Sequence, residues 1–577
     1  MPTYLDFMHN FTQAQLKKHL GNQLIETLIE WSPNGDALLT KQRLITMIDC
    51  IYGSTIFTKR DFRKDLLLSM TEKDILDIRD ACLSKTERLE NDARKLAEII
   101  SEKTWGNNEI SRYLLRKWGV DENILISERE ISNPIETVSS SHSRFFELLD
   151  YQYYIKQRAL NYLNSGNLQE RMFIHMPTGT GKTKTSMHTI VNYMTLPERK
   201  EGLIIWIAHT NELLLQAYDT FVEVWSHLGD GDCTVYKLWG SNNILDLSRP
   251  LNGIAFCGLS KLMSIYDNNL DLFNRLKTDC RLVVFDEAHK ASANKTKEVI
   301  ESLMRMPAGY ANRALIGLSA TPGRTTEASY SNSDLSNMFG NKLIYIDSSV
   351  INQINLGRIA ALNASSEKRV IKYFQDRKIL SRITPKRLQY QSSFTESELR
   401  VLSEDLENLG FEESDYSEKQ LRIFAENKNR NLVIMQELRT LVNQKIPTIV
   451  FACSVPHAKM LSAMLTLEGI KNSLVVGDMN AIDRKKAIDS FKRKDSDIYV
   501  IINYEVLTTG FDSKNIKCVF ITRPTKSVVL YSQMLGRGLR GPMMGGNEDC
   551  LLIDVEDNLT AFNNESAFSH FNDYWKV

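Results

Sequence analysis

Over the first 140 positions apolar residues recur at three- and four-residue spacing, as in Leu24, Ile25, Leu28 and Ile29 and again in Ile75, Leu76 and Ile78. This spacing predicts amphipathic helices, with charged residues dominating the other face from Glu72 to Glu102. Ser132-Asn133-Pro134 and Ser139-Ser140-Ser141-His142-Ser143 then predict a linker before Phe145. From 171 the texture changes to short, continuously apolar runs followed by helical stretches. Arg171–His175, Leu203–Ala208, Leu282–Phe285 and Leu315–Leu318 have the pattern of strands buried on both faces. From about 323 to 445 Ser-rich and highly charged helical sequence intervenes. The strand pattern resumes at Thr448–Ala452, Ser473–Val476, Ile498–Ile502, Cys518–Ile521 and Leu551–Asp554. The prediction is an α/β fold of two parallel-sheet blocks. A helical accessory domain spans 1–143, the first lobe 144–325, a helical insert 326–445 and the second lobe 446–577.

Composition narrows the function classes. The 577 residues are 42% hydrophobic, and Lys+Arg and Asp+Glu both number 71, so net charge is zero. A protein that coats nucleic acid by bulk charge would be basic, so any such site here must be local. The eight Cys form no C-x-x-C pair, which argues against a zinc site and for reduced core thiols. No 18-residue apolar run or signal-type N-terminus appears, and the expectation is a cytoplasmic protein without membrane contact.

Candidate chemistry begins at Met176-Pro177-Thr178-Gly179-Thr180-Gly181-Lys182-Thr183, between a predicted strand and a predicted helix. Glycine there lets successive N–H groups curl toward phosphate oxygens, and the helix N-terminus adds partial positive charge. Gly179, Thr180 and Gly181 form the expected cradle, Lys182 reaches the β- and γ-phosphates of ATP, and Thr183 offers a hydroxyl to Mg²⁺. Met176 stands where the motif has its first Gly. Downstream, the apolar run ending at Phe285 delivers Asp286-Glu287-Ala288-His289. Carboxylates at such a strand end lie in the ligand crevice of an open α/β sheet. Asp286 is the expected Mg²⁺ ligand, and Glu287 the group that orients or deprotonates the attacking water.

With these motifs in order the sequence resembles superfamily 2 helicases of the DEAH-bearing type, particularly the branch that includes restriction-enzyme motor subunits, over roughly 145 to 560. The resemblance implies two tandem RecA-like lobes and a set of roles. Gln152, in Tyr151-Gln152, addresses the adenine edge, although Leu149-Asp150 departs from the family's usual flanking residues. Thr210 and Asn211, in Ala208–Gln216, and Ser260 and Lys261, in Cys257–Leu262, contact a nucleic-acid strand; Gly258 replaces the family's usual Thr. Ser319 and Thr321, with His289, couple the nucleotide site to lobe movement. Phe451-Ala452-Cys453-Ser454 looks like motif IV. Leu507–Asp512 resembles the motif that touches both strand and nucleotide, through Thr508, Gly510 and Asp512. Gln533-Met-Leu-Gly536-Arg537-Gly538-Leu539-Arg540 places two guanidiniums at i and i+3, expected on one helical face. The resemblance implies that Arg537 and Arg540 act as arginine fingers, with Gln533 beside them.

The implied function is an ATP-dependent motor on nucleic acid, DNA ahead of RNA, in which cleft closure and opening are converted into stepping. Two alternatives stand beside it: an ATPase that translocates or senses without separating strands, as the motor of a restriction or defence complex, and an RNA helicase. No metal-ligand constellation stands out in 1–140 or 323–445, so if the chain is a restriction or defence motor its nuclease is expected on another chain. Arg484-Lys485-Lys486 and Lys492-Arg493-Lys494 are expected to form a solvated helix face. The basic-aromatic stretch Trp105–Trp118 is expected to pack as a helix against the motor, with contact to DNA or a partner as the alternative.

Overall fold

The computed structural model describes residues 3–556 apart from 33–34, 126–132, 142–145, 166–168, 198–200, 241, 245, 292–293, 306–312, 321–329, 348–349, 352–365, 392–393, 404–414, 494, 509–513 and 526. Thr321, Gly510 and Asp512 therefore lie outside the described residues.

Two sheets organise the chain. The first contains β1 (Ile135–Ser139), β2 (Gln169–His175), β3 (Leu203–Ala208), β4 (Asp232–Leu238), β5 (Gly253–Gly258), β6 (Cys280–Asp286), β7 (Arg313–Ser319) and β8 (Leu343–Ile344), in the order β1-β4-β5-β3-β6-β7-β2-β8. All its pairings are parallel except β1 against β4. The second contains β9 (Arg382–Leu388), β10 (Thr448–Phe451), β11 (Ser473–Val475), β12 (Val500–Asn503), β13 (Cys518–Ile521) and β14 (Asp549–Val555), in the order β11-β12-β10-β13-β14-β9, parallel throughout. Every residue of β3, β5, β7, β10, β12 and β13 is buried, which is why their apolar residues run consecutively rather than alternating, with polar residues only at the ends of β7, β10 and β12.

Two stretches differ from expectation. The stretch taken as a linker holds β1, because Pro134 O accepts the Lys237 N–H and the edge of β4 pairs with Ile135–Ser139. The stretch 326–445 is not only helical. It lends β8 to the first sheet and β9 to the second. The sequence of β9, Arg-Ile-Thr-Pro-Lys-Arg-Leu, is mostly exposed and contains Pro385, the profile of an edge strand whose pairing with β14 defines it.

The N-terminal helices share one apolar cluster with a face of the second sheet; Leu44, Ile48 and Trp118 belong to it together with Leu461, Val450 and Phe520. Helix Lys41–Tyr52 lies against helix Val455–Leu467, with Cys50 Sγ 3.3 Å from Ser462 Oγ. The Ser54 amide and hydroxyl both donate to Asp483 Oδ2 at 2.7 Å. Within this region Trp105 and Trp118 stack with Phe57, while Arg116 pairs with Glu122. Among the described residues no helix is long and apolar enough to cross a membrane.

A buried polar network in the second lobe gives a first testable consequence. His457 Nδ1 accepts the Cys453 N–H at 3.0 Å and Nε2 lies 2.8 Å from Asn431 Oδ1, whose own amide nitrogen donates to Ala425 O and Asn427 O. That arrangement fixes a neutral ring with the proton on Nε2. Burial, and then the neighbouring Arg430 guanidinium, push the His457 pKa down to about 3. The unfolded chain takes up a proton near pH 6.5 that the folded chain refuses until near 3, so stability declines as pH falls through that window. The slope is expected to be about 1.4 kcal/mol per pH unit from this residue. Denaturant unfolding between pH 6.5 and 5 checks it: His457→Asn should flatten the decline by that amount, and an unchanged slope would show that the ring titrates normally.

Candidate active site

The topology places β7 between β6 and β2, so three strand ends converge: His175, Asp286 and Ser319. The chain leaves β2 at His175 and turns through Pro177–Gly181. Thr180 N–H and Oγ1–H both return to Pro177 O, at 3.2 and 2.7 Å. Gly181 has φ +83°, in the left-handed region that side chains disfavour, and caps the helix Lys182–Met194. Two side chains from helix Asp150–Leu163 fix the loop from behind: Tyr151 OH and Gln152 Nε2 donate to Thr180 O at 2.6 and 3.0 Å. The sequence named Tyr151 only as the neighbour of Gln152, without a role of its own. Its place one residue before Gln152 was the available signal.

Lys182 Nζ stands between two carboxylates, 2.9 Å from Asp286 Oδ1 and 2.7 Å from Glu287 Oε1. Burial works against its charge, but the two carboxylates outweigh that and raise its pKa. Burial likewise pushes Asp286 up. Glu287 is held down to about 2; burial opposes this, and the Lys182 ammonium is the foremost group pulling the other way. Glu287 itself sits at φ +54°, a left-handed conformation that costs of order 1–3 kcal/mol and turns its side chain toward Lys182. One ammonium between two carboxylates leaves the trio net negative. Glu287 Oε2 is buried with no hydrogen-bond partner among the described residues. Hard oxygen donors short of positive charge suit Mg²⁺ with a polyphosphate, so the residues present fit the group the sequence implies.

His289 carries the site toward β7: its Nδ1 lies 2.9 Å from Ser319 Oγ and 3.4 Å from Glu287 Oε2. Ser319 O accepts the Met176 N–H at 3.2 Å, and His175 Nε2 meets Ala320 O at 3.0 Å. The carboxylates, the P-loop and Ser319 thus form one hydrogen-bonded patch.

The second lobe closes directly on this patch. A methyl built on Gly179 would stand 3.5 Å from both Arg540 Cγ and Leu380 Cδ2, and one built on Gly536 would overlap the Thr178 side chain. The expected helical face for Arg537 and Arg540 is corrected: the helix Val528–Leu535 ends before either residue. Glycines at 536 and 538 disfavour continuing it, and the chain turns so that Arg540 bridges Leu380. Ser381 N–H donates to Leu539 O and Ser381 Oγ to Arg540 O, a clamp the sequence did not disclose. Arg537 donates through Nε and Nη2 to Thr508 O, at 3.2 and 2.6 Å, which ties it to the Leu507–Thr508 turn. Gln533 is nearly buried, and its Nε2 has no hydrogen-bond partner among the described residues.

The expected strand contacts lie at neighbouring strand ends. Ala208 and Gly258 are paired in register, so Thr210 and Asn211 after β3 sit beside Ser260 and Lys261 after β5. Thr210 caps helix Asn211–Leu228 by accepting the Leu213 N–H. Arg484, expected on a solvated face, instead reaches across the cleft to Glu212 at 2.5 Å, because its helix faces the first lobe at this edge.

Residues 145–324 match the family described as "Type III restriction enzyme, res subunit", and 429–541 match "Helicase conserved C-terminal domain". "Putative ATP-dependent helicase IRC3" of Saccharomyces cerevisiae is 25% identical over 424 residues, covering 70% of this chain and 51% of that protein. "Putative mitochondrial ATP-dependent helicase irc3" of Schizosaccharomyces pombe is 25% identical over 414 residues, covering 72% and 58%. This chain thus spans about half the length of the curated relatives it matches. Among solved structures, the fragment of "a putative HsdR subunit of a type I restriction enzyme from Vibrio vulnificus YJ016" aligns at 20% identity and a TM-score of 0.46, over 71% of this chain and 64% of that one.

Proposed function

We propose that this chain, a superfamily 2 helicase-type protein related to restriction-enzyme motor subunits, hydrolyses ATP between its lobes and uses each cycle to advance along nucleic acid, DNA in preference to RNA. One observation carries the reading: the Lys182–Asp286–Glu287 trio lies on the first lobe, and the second lobe lays Arg540 against Gly179 of the same loop.

Mechanistically, Lys182 exchanges its carboxylate partners for the triphosphate oxygens, while the Gly179–Gly181 backbone amides line the cradle. Mg²⁺, held by Thr183 and Asp286, would neutralise developing charge on those oxygens. Glu287 orients a water and takes its proton. His289 passes the state of Glu287 to Ser319, and Ser319 to the Met176 amide. Arg540 supplies positive charge from the opposite lobe. Thr210, Asn211, Ser260 and Lys261 on one lobe and Thr508 on the other grip the strand, so opening and closing changes their spacing.

DNA is favoured because Gln533–Arg540 and Ala208–Leu213 resemble restriction-associated motors, and because the first lobe matches a restriction subunit model. By the same argument the partner is a nuclease or other subunit of a restriction or defence complex. The test is ATP turnover by the full chain alone and with duplex DNA, single-stranded DNA or RNA. Stimulation by DNA above RNA is the expected result. Turnover indifferent to every nucleic acid would eliminate the motor reading, and preference for RNA would reverse the choice of strand. Triplex displacement without strand displacement would assign translocation in place of unwinding.

A further inference from the structure

We infer that Arg523 is a positioning residue for stimulation by nucleic acid: together with Asp415 it holds Glu505 in a left-handed turn, and that turn joins the strand contact at Thr508 to Arg537. This rests on the reading above that nucleic acid drives the ATP cycle.

Among the described residues, those other than glycine with positive φ are Glu287, Asn341, Lys378, Lys445 and Glu505. Asn341, Lys378 and Lys445 follow helix ends, where a left-handed residue commonly closes the last turn. Glu505 follows strand β12, as Glu287 follows β6, and has no helix to close. Its φ of +59° is strained for a residue with a side chain and persists only where the surroundings impose it. The backbone beside it is well anchored. Buried Asn503 donates through Nδ2 to Val450 O at 2.9 Å, and its Oδ1 accepts the Leu507 N–H at 3.3 Å. Glu505 O accepts the Thr508 N–H at 3.1 Å and also the Thr508 hydroxyl. The conformation of Glu505 therefore decides where Thr508 stands.

The Glu505 side chain leads to Arg523, just beyond the end of β13. Arg523 Nη1 donates to Glu505 Oε1 at 3.0 Å, and Nη2 donates to Asp415 Oδ2 at 3.2 Å. The Thr525 hydroxyl donates to Asp415 Oδ1 at 2.9 Å, and the guanidinium carbon lies 5.4 Å from the centre of the Tyr504 ring. Arg523 is 8% exposed, whereas the Glu505 side chain is 58% exposed. A glutamate that open to water does not fix its own backbone. A buried planar fork, anchored on its far side by Asp415, gives it a fixed point. On the other side of the turn Arg537 donates to Thr508 O. Thr508 thus stands between the Glu505 clamp and the arginine that faces the nucleotide side. A turn held at both ends passes on a displacement, and a loose one absorbs it. Arg523 accordingly governs stimulation and leaves basal hydrolysis alone.

The test compares two changes at one position in the full chain. Glu505→Ala removes the carboxylate but keeps the need for positive φ, whereas Glu505→Gly removes both. ATP turnover is measured with and without duplex DNA, and hydrogen exchange is measured at the Thr508 amide. Glu505→Ala should lower the stimulation roughly three- to ten-fold, within what the cost of a left-handed residue allows. It should also speed Thr508 exchange, with basal turnover near that of the parent. Glu505→Gly should keep most of both. Arg523→Ala should act like Glu505→Ala in the parent and add nothing to Glu505→Gly; should it fail to fold, the two changes at Glu505 still decide. Stimulation untouched by Glu505→Ala overturns the inference. So do equal losses of basal and stimulated turnover, which would mark a merely structural role, and so does Glu505→Gly as damaging as Glu505→Ala. A parent that no nucleic acid stimulates, with Thr508 exchange responding as expected, counts against the motor and leaves the clamp standing. A stimulated parent whose Thr508 exchange ignores all three changes counts against the clamp alone.

Discussion

Lys182→Ala is expected to abolish ATP turnover and, at the same time, to loosen the first lobe. The ammonium has two carboxylate partners within 2.9 Å, and the Asp286 and Glu287 side chains are almost fully buried. Removing it takes away the charge that would meet the triphosphate, a loss on the scale of roughly 10²–10³ in kcat for one preorganised electrostatic contact. It also leaves two buried carboxylates facing each other without compensation, which costs about 3–5 kcal/mol when one partner of a buried pair is deleted. The two effects separate by pH. Without the lysine, repulsion and burial raise the folded-state carboxyl pKa above that of the unfolded chain, so the folded variant binds the extra proton and gains stability as pH falls. The gap in melting temperature between variant and parent should therefore narrow from pH 8 to pH 5, while turnover stays lost. Turnover within a few-fold of the parent would mean that this loop is not the phosphate site.

The second large effect is expected at the other lobe. Arg540→Ala should lower kcat by about 10³, the low end of what a guanidinium delivered across a cleft contributes in phosphoryl transfer, and leave ATP binding nearly intact. Arg540 packs on Gly179 in the closed arrangement, whereas Arg537 donates through Nε and Nη2 to Thr508 O. Arg537→Ala should accordingly cost less in basal turnover and more in stimulation by nucleic acid, because it frees the Leu507–Thr508 turn from the nucleotide side. Single-turnover hydrolysis at saturating ATP distinguishes the two. If Arg537→Ala proved the more damaging without any nucleic acid present, the roles of the two arginines would have to be exchanged.

Much of this was written in local sequence. Leu203–Ala208 and Cys518–Ile521 are strands with the bounds their apolar runs predict, because a strand buried on both faces needs every residue apolar and the requirement is visible one residue at a time. The P-loop is equally local: its glycines, lysine and helix start occupy eight consecutive positions. Asp286 and Glu287 were legible as carboxylates at a strand end, since an apolar run has to stop where charge begins. What the sequence could not disclose depends on partners remote along the chain. Strand β9, with Pro385 and three basic residues, exists because β14 offers it an edge; nothing in its own composition asks for a strand. The N-terminal helices show amphipathic faces, but that those faces cover the second lobe, through contacts more than 400 residues apart in sequence, rather than the nearer first sheet is decided by the packing of Cys50 on Ser462 and Ser54 on Asp483. The glycines at 536 and 538 let the helix end, but that Arg540 then bridges Leu380 and accepts from Ser381 is decided by residues remote along the chain. Sequence alone determined which groups carry charge, which segments must hide from water, and the order of the motifs. Tertiary structure decided which of those groups meet across the cleft, because a contact between lobes is set by shape and hydrogen bonds among residues that no local pattern links.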